Sequence, residues 1–99
     1  MYKLLFFLKK PLDEKVLNHF KEKTIPILCE LTGKDILMAE VESNLLAEQK
    51  YSFFCEAEFS NKEEMDRIMN SKSGLELNKD LMDFHEQLTI IPVNYKQEL

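Results

Sequence analysis

Two histidines are the side chains of this sequence that can exchange protons near neutral pH. His19 lies one position before Phe20, at the flank of the apolar stripe of a predicted helix. It is either an acid or base beside an apolar pocket or a partly exposed flank residue without that role. His85 follows Phe84 near the end of a later predicted helix, where a cation complements the helix dipole. His19 is therefore the one candidate catalytic residue.

A threonine and two cysteines are the next candidates for chemistry. Thr24 adjoins Pro26, and its hydroxyl can either bond the backbone carbonyl that the proline leaves free or orient an oxygen atom of a ligand. Cys29 and Cys55 have no CxxC spacing. That usage predicts reduced, packed thiols in a cytoplasmic protein.

Several functional classes lack their sequence signatures. There is no P-loop, GxGxxG, HExxH or GxSxG motif and no Cys/His cluster with metal spacing, so we expect neither a metal nor a cofactor. Eighteen acidic and 13 basic residues give a net charge of -5, which argues against a nucleic-acid partner. The longest apolar run, residues 4–8, is too short for a membrane span or a signal-peptide core.

Apolar periodicity, capping residues and turn residues predict a single α+β domain over residues 1–99, with the element order β-α-β-β-α-α-β. Pro26 is expected to bend the first helix between residues 22 and 25. Capping boxes at residues 60–63 and 73–76 begin the two later helices. The predicted strands cover residues 2–10, 35–43, 51–59 and 88–95, and the first helix covers residues 14–32. This order predicts a ferredoxin-like, four-stranded antiparallel sheet. Pro92 in the last strand favours an edge or a bulge over a central ladder position.

Both faces of the predicted sheet are apolar. Tyr51 and Phe53 are expected to face the helices, as are Leu37, Ala39 and Val41. Leu5, Phe7, Met38 and Phe54 are expected on the other face. Glu40 and Glu56 are also expected there, either as paired carboxylates or in ion pairs with lysines. An apolar face left in water marks an interface, so we expect a homodimer formed face to face.

Four segments that span nearly the whole chain carry a family resemblance. They are Lys3-Leu4-Leu5-Phe6-Phe7-Leu8-Lys9-Lys10-Pro11, His19-Phe20 with Ile25-Pro26-Ile27, Cys55-Glu56-Ala57-Glu58-Phe59, and Ser71-x-x-Gly74 with Asp80-Leu81-x-x-Phe84. In this order the segments resemble the EthD-like family of the dimeric α/β-barrel superfamily. The resemblance implies a dimeric α/β barrel, a cavity between sheet and helices, and an oxidoreductase activity. Two positions depart from the family pattern. The family often has a histidine at the position of Thr24, and it often has a tyrosine or histidine at the position of Leu8.

Three hypotheses for function follow from the predicted fold and the family resemblance. The first is a homodimeric EthD-like protein that binds a small hydrophobic or aromatic molecule between sheet and helices, with catalysis left open. The second is a cofactor-independent monooxygenase or a related oxidoreductase that uses His19 as its base. The third is a structural or regulatory dimer without a ligand. The candidate ligand-binding residues are Phe6, Leu8, Phe20, Thr24, Phe53, Phe59 and Phe84, although aromatic residues at this spacing also form plain core.

Overall fold

The structure, a computed structural model, describes residues 1–96 and has the predicted order of elements. The strands are β1 (Tyr2–Lys9), β2 (Ala39–Glu40), β3 (Tyr51–Phe59) and β4 (Leu88–Asn94), and the helices are α1 (Glu14–His19), α2 (Ile25–Thr32), α3 (Lys62–Met69) and α4 (Lys72–Met82). A π-helical turn, Phe20–Thr24, joins α1 to α2, and a 3₁₀ turn, His85–Gln87, precedes β4.

The four strands form one antiparallel sheet in the order β2-β3-β1-β4. β4 is an edge strand, and Pro92 lies opposite Leu4 of β1. A proline is tolerated there because an edge strand needs only half of its backbone groups for the ladder. The predicted fold, an α+β ferredoxin-like sheet covered on one face by helices, is confirmed.

The core lies between the sheet and its helices, where β1 alternates between buried and half-buried residues. Leu4, Phe6 and Leu8 point into this core, whereas Leu5 and Phe7 lie on the opposite face and are half-buried. The two apolar faces of β1 are thus as predicted. We call the face opposite the helices the outer face.

β2 differs from its prediction in length and in orientation. It pairs with β3 only at Ala39 and Glu40, which lie opposite Phe54 and Phe53. This register places Ala39 on the outer face and Glu40 on the helix face. The predictions that Ala39 faces the helices and that Glu40 shares the outer face with Glu56 are therefore wrong. Met38 packs against the helix-side core, so its predicted place on the outer face is also wrong. A shift of one residue inverts every side chain of a strand.

A β-bulge changes the face on which β3 begins. The register slips between Leu8 and Lys9, so that Lys9 lies opposite Tyr51 instead of Ser52. The extra residue moves Tyr51 to the outer face, where its ring lies 4.9 Å from the ring of Phe7. The prediction that Tyr51 faces the helices is therefore wrong.

The first of the two later helices begins one residue later, and the second begins two residues earlier, than the capping boxes predicted. Asn61, rather than Ser60, caps α3, because its Oδ1 accepts from the backbone N–H of Glu64 at 2.8 Å. Ser71, rather than Ser73, caps α4, and its hydroxyl accepts from the N–H of Gly74 at 3.2 Å. Asx and Ser side chains compete for the same role, and the packing of the chain decides between them.

The irregularity predicted near Pro26 takes the form of the π-helical turn. Pro26 has no N–H to bond the carbonyl of residue 22, and the N–H of Ile25 bonds the carbonyl of Phe20, five residues earlier. The turn leaves Phe20 and Thr24 both buried against the sheet. Single π turns of this kind occur often at functional sites.

Candidate functional site

A small polar centre joins the first helical segment to α4. The carboxylate of Asp80 accepts a hydrogen bond from Nε2 of His19 and a second one, at 2.8 Å, from the hydroxyl of Thr24. His19 ends α1, Thr24 ends the π turn, and Asp80 lies on α4. The π turn therefore places both donors on one carboxylate that is 61 and 56 residues away along the chain.

The hydroxyl of Thr24 has a partner other than the two that the sequence suggested, which are the carbonyl that Pro26 leaves free and an oxygen atom of a ligand. It is 1% exposed, and its hydroxyl bonds the Asp80 carboxylate instead of a carbonyl of the interrupted helix. In the sequence, Asp80 stands out only as part of the family-like segment Asp80-Leu81-x-x-Phe84. The available signal was a carboxylate directly before Leu81 on the buried side of a helix, where it needs a partner.

The arrangement orients the imidazole of His19. Because a carboxylate only accepts hydrogen bonds, Nε2 carries the proton and Nδ1 of a neutral ring is left as an acceptor. The ring packs against Phe84, with centroids 4.5 Å apart, and the side chain is 31% exposed. A histidine that is fixed by a carboxylate and open to solvent on one side can take a proton from a bound molecule.

The other candidate ligand-binding residues form a packed core around this centre. Phe6, Leu8, Phe20, Thr24 and Phe59 are buried, and Phe53 and Phe84 are partly buried. The rings of Phe6 and Phe20 lie 6.4 Å apart, and Nζ of Lys21 lies 5.8 Å from the ring centroid of Phe53. The space beside Thr24 is thus occupied by side chains of the chain itself.

An apolar cleft lies elsewhere between sheet and helices. We call it the methionine cleft; it has a volume of about 240 Å³. Its lining residues are Leu4, Phe6, Met65, Met69, Asn78, Leu81 and Ile90, from β1, α3, α4 and β4. Of the candidate ligand-binding residues, Phe6 alone is among them. The helical spacing of Met65 and Met69 predicted that they face inward, but only the packing of α3 and α4 over the β4 edge opens a space there.

The outer face carries an aromatic cluster and is flanked by ion pairs. The ring of Phe7 lies 4.9 Å from Tyr51 and 5.0 Å from Phe54. At the side of this cluster Nζ of Lys3 donates to Glu56 at 2.8 Å. This hydrogen bond raises the pKa of Lys3. The ion-pair interpretation of Glu56 is therefore confirmed, and the face combines an apolar centre with charged margins.

A shallow cavity of about 430 Å³ continues the outer face towards the segment before β2. Leu37 lines it and is 86% exposed, so its predicted position facing the helices is wrong. Nζ of Lys34 donates to Glu58 at 2.6 Å at this cavity. That hydrogen bond lowers the pKa of Glu58.

The remaining candidate residues have structural surroundings. Cys29 and Cys55 are free thiols, as predicted, and burial raises the pKa of Cys55 to about 12. Nδ1 of His85 donates to the carbonyl of Met82 at 2.9 Å, next to the end of α4. In the part of the chain that the structure describes, no helix is long and apolar enough to cross a membrane.

Solved structures share this fold. An EthD family protein from Bacillus halodurans superposes with a TM-score of 0.80 at 22% identity, over 97% of this chain and 99% of that one. A protein from Arabidopsis thaliana gives a TM-score of 0.61 at 17% identity, over 99% and 95% of the two chains. A dimeric protein of unknown function with a ferredoxin-like fold, from Bacteroides fragilis, gives 0.56 at 15% identity over 95% and 94%.

No protein-family model matches the sequence, and no curated protein matches it. The structural match over almost the full length agrees with the family resemblance of the four segments. The chain therefore has the ferredoxin-like α+β fold of an EthD family protein.

Proposed function

We propose that this chain is a single EthD-like domain over residues 1–99 that forms a cytoplasmic homodimer and binds a small hydrophobic or aromatic molecule between sheet and helices. The observation that carries ligand binding is the methionine cleft, an apolar space of about 240 Å³ that side chains leave between the two layers. A site of this kind takes up an apolar molecule because burial removes apolar surface of both partners from water.

The outer face supports the homodimer. Its cluster of Phe7, Tyr51 and Phe54 is only half-buried within the chain, and Ile91 beside it is 43% exposed. Full burial of such a side chain contributes about 1.5–3 kcal/mol, part of which offsets the entropy lost on association. A second copy related by a two-fold axis covers this face with the same residues.

Sedimentation at micromolar concentration tests the dimer. We expect a dimer for the wild type and a monomer for Phe54→Arg, because the substitution places a charge in the centre of the apolar interface. Leu75→Arg is the matched control, since Leu75 is 55% exposed on α4, in the helical layer. A monomeric wild type, or dissociation by Leu75→Arg alone, contradicts the proposed interface.

Methyl NMR of ¹³C-labelled methionine tests the ligand site. Two of the five methionines, Met65 and Met69, line the cleft, whereas Met82 is 66% exposed on α4. Titration with 4-methylphenol or methylbenzene is expected to shift the Met65 and Met69 methyl signals in a saturable way and to leave Met82 unchanged. No shift at either cleft methionine across both compounds contradicts ligand binding in the cleft.

A variant that fills the cleft provides the matched control. Ile90 lines the cleft from the edge strand and is 38% exposed, so Ile90→Phe adds bulk there without breaking a ladder that favours aromatic residues. We expect this variant to fold and to show no saturable shift of the Met65 and Met69 methyl signals. Met82→Phe adds a similar ring outside the cleft and should retain it; equal binding by both variants contradicts this site.

The second candidate function is a cofactor-independent monooxygenase, and the oriented imidazole of His19 favours it. In such a reaction an electron-rich CH₂ group of the substrate loses a proton to the base and reacts with dioxygen. The carbon becomes a carbonyl with one oxygen atom, and the other oxygen atom leaves as water. The protein supplies the base.

Oxygen consumption with electron-rich aromatic compounds tests this second function. His19→Ala is expected to lower turnover by about 10²–10⁴-fold, the usual contribution of a general base. His85→Ala is the control, because that imidazole bonds a carbonyl at the end of α4 instead of a carboxylate. Unchanged turnover of His19→Ala excludes His19 as the base. If both the titration and the turnover are negative, the structural or regulatory dimer remains.

A further inference from the structure

We infer that the methionine cleft selects a neutral, single-ring aromatic molecule with one hydrogen-bonding group, of the phenol class. The inference rests on the proposed function because it concerns the same site. It depends on three properties of the cleft: its size, the chemistry of its walls, and the position of its one polar residue.

The size of the cleft limits the ligand to about one ring. Ligand sites for drug-sized molecules have volumes of about 300–1,000 Å³, and the cleft has about 240 Å³. An apolar cavity of about 150 Å³ is sufficient for benzene. The cleft therefore accommodates a substituted benzene, whereas a fused three-ring system would have to leave much of its surface in water.

The walls favour an aromatic ring over an alkyl chain of the same volume. Leu4 and Leu81, each 8% exposed, form fixed walls of the cleft, whereas Phe6 is fully buried beneath its surface. Met65 and Met69 contribute two thioether side chains from α3. Sulfur–aromatic contacts are favourable, and the unbranched methionine side chain adapts its shape to a flat ring.

The ligand must be neutral because the cleft offers no charge to compensate one. None of its seven lining residues carries an ionisable side chain. A carboxylate or ammonium group that enters such a site loses its hydration without a partner. Anionic and cationic aromatic compounds are therefore excluded in favour of neutral ones.

Asn78 places the polar group of the ligand at the mouth of the cleft. It is the one polar residue of the lining and is exposed on α4. Its side chain makes no hydrogen bond with any residue of the described range 1–96. A side-chain amide both donates and accepts, which matches a phenolic hydroxyl. The ring then lies inward against Leu4 and Leu81, and the hydroxyl lies outward at Asn78.

Methionine methyl titrations with matched compounds test the ligand class. 4-Methylphenol and methylbenzene differ only by the hydroxyl, 4-methylbenzoate carries a carboxylate in place of that hydroxyl, and 2-hydroxyanthracene extends the ring system. We expect 4-methylphenol to bind about three- to tenfold more tightly than methylbenzene, as one net hydrogen bond provides. We expect the other two compounds to bind at least tenfold more weakly than 4-methylphenol.

Asn78→Leu separates the role of the amide from that of the cleft. We expect it to abolish the preference for 4-methylphenol and to leave methylbenzene binding within about twofold, while Lys79→Leu, outside the cleft on the same helix, changes neither. Equal binding of 4-methylphenol and methylbenzene by the wild type overturns the inferred class, as does preferred binding of the charged or three-ring compound. In each of these cases the cleft still binds a ligand, so the proposed function stands. If neither 4-methylphenol nor methylbenzene shifts the Met65 and Met69 signals, both the inferred class and ligand binding in the cleft are overturned.

Discussion

At the residue scale, one carboxylate serves two partners that the sequence places on a different helical segment. Asp80 accepts from both His19 and Thr24, and Thr24 is almost completely buried. A buried hydroxyl without an acceptor is costly. The polar centre therefore has a structural consequence whether or not His19 acts as a base.

Removing Asp80 is expected to destabilise the fold through Thr24. Asp80→Ala should lower the free energy of unfolding by about 1–3 kcal/mol, because the buried hydroxyl loses its acceptor. In the Thr24→Val background the same substitution should cost less, since no hydroxyl is left unsatisfied. Urea unfolding of the four proteins gives the coupling energy. Additive effects contradict the role of the Thr24–Asp80 hydrogen bond, and Asp83→Ala, at the end of the same helix, is the control.

Cys55 is expected to be unreactive towards alkylating reagents in the native protein. Burial raises the pKa of its thiol to about 12, so the reactive thiolate is scarce at pH 8. Iodoacetamide should modify Cys29, which is only partly buried, and should reach Cys55 only after unfolding. Mass spectrometry of native and urea-unfolded protein measures this difference. Equal modification of both cysteines under native conditions is the contrary outcome.

At the scale of elements, a glycine determines how closely α3 and α4 approach. A Cβ atom at Gly74 would lie 2.5 Å from the carbonyl carbon of Met69 and would also meet the backbone carbonyl of Ile68. Real Cβ atoms do not come so close to a backbone. The absence of a side chain therefore allows the tight turn between the two helices that form one wall of the methionine cleft.

Gly74→Ala is expected to destabilise the protein although alanine favours helices. The new methyl group must push α3 away from α4, and overpacking of this kind costs about 1–3 kcal/mol. The gain in helix propensity offsets about 1 kcal/mol of that cost. Thermal unfolding compares the variant with Ser73→Ala, one position earlier in the same helix, which should be nearly neutral. An increased melting temperature for Gly74→Ala contradicts the close approach.

The ion pair between Lys34 and Glu58 links the segment after α2 to β3, and it predicts a pH dependence. Its hydrogen bond lowers the pKa of Glu58 in the folded state. The pair therefore stabilises the fold above the pKa of the unfolded glutamate, and this contribution is lost as the pH falls through the lowered pKa. Because the pair is solvent-exposed, the effect is small and decreases with salt.

Glu58→Gln tests that dependence. We expect the variant to be less stable than the wild type at pH 7 and equal to it in acid, where the wild-type carboxyl is also neutral. In the Lys34→Gln background the substitution should have no such pH-dependent effect. Urea unfolding across the pH range measures the difference, and a difference that grows towards acid would contradict the assigned sign.

At the scale of the whole molecule, the outer face is expected to link stability to protein concentration. A folded homodimer is favoured over unfolded monomers by mass action, so the melting temperature of the wild type should rise with concentration. Phe54→Arg, which removes the interface, should melt at a temperature independent of concentration. Differential scanning measurements over a hundredfold concentration range test this. A concentration-independent wild type contradicts the dimer.

The sequence by itself determined the order of elements and the helix-side face of β1, and it disfavoured a central ladder position for Pro92 in β4. These properties depend on local patterns: alternation along residues 4–8, the helical spacing around Leu77 and Leu81, and Pro92 in the last strand. The periodicity of side chains is a property of a single helix or strand, so the sequence predicts it without knowledge of tertiary contacts.

Only the tertiary structure decided the faces of β2, the position of Tyr51, the polar centre and the methionine cleft. A one-residue choice of register moved Met38 to the core and Glu40 away from Glu56, and a bulge turned Tyr51 outward. Such choices depend on hydrogen bonds and packing between distant segments, whose free energies do not appear in any local pattern. For the same reason the hydrogen bonds of Asp80 with His19 and Thr24 could not be predicted, because they form only when α4 packs against the π turn.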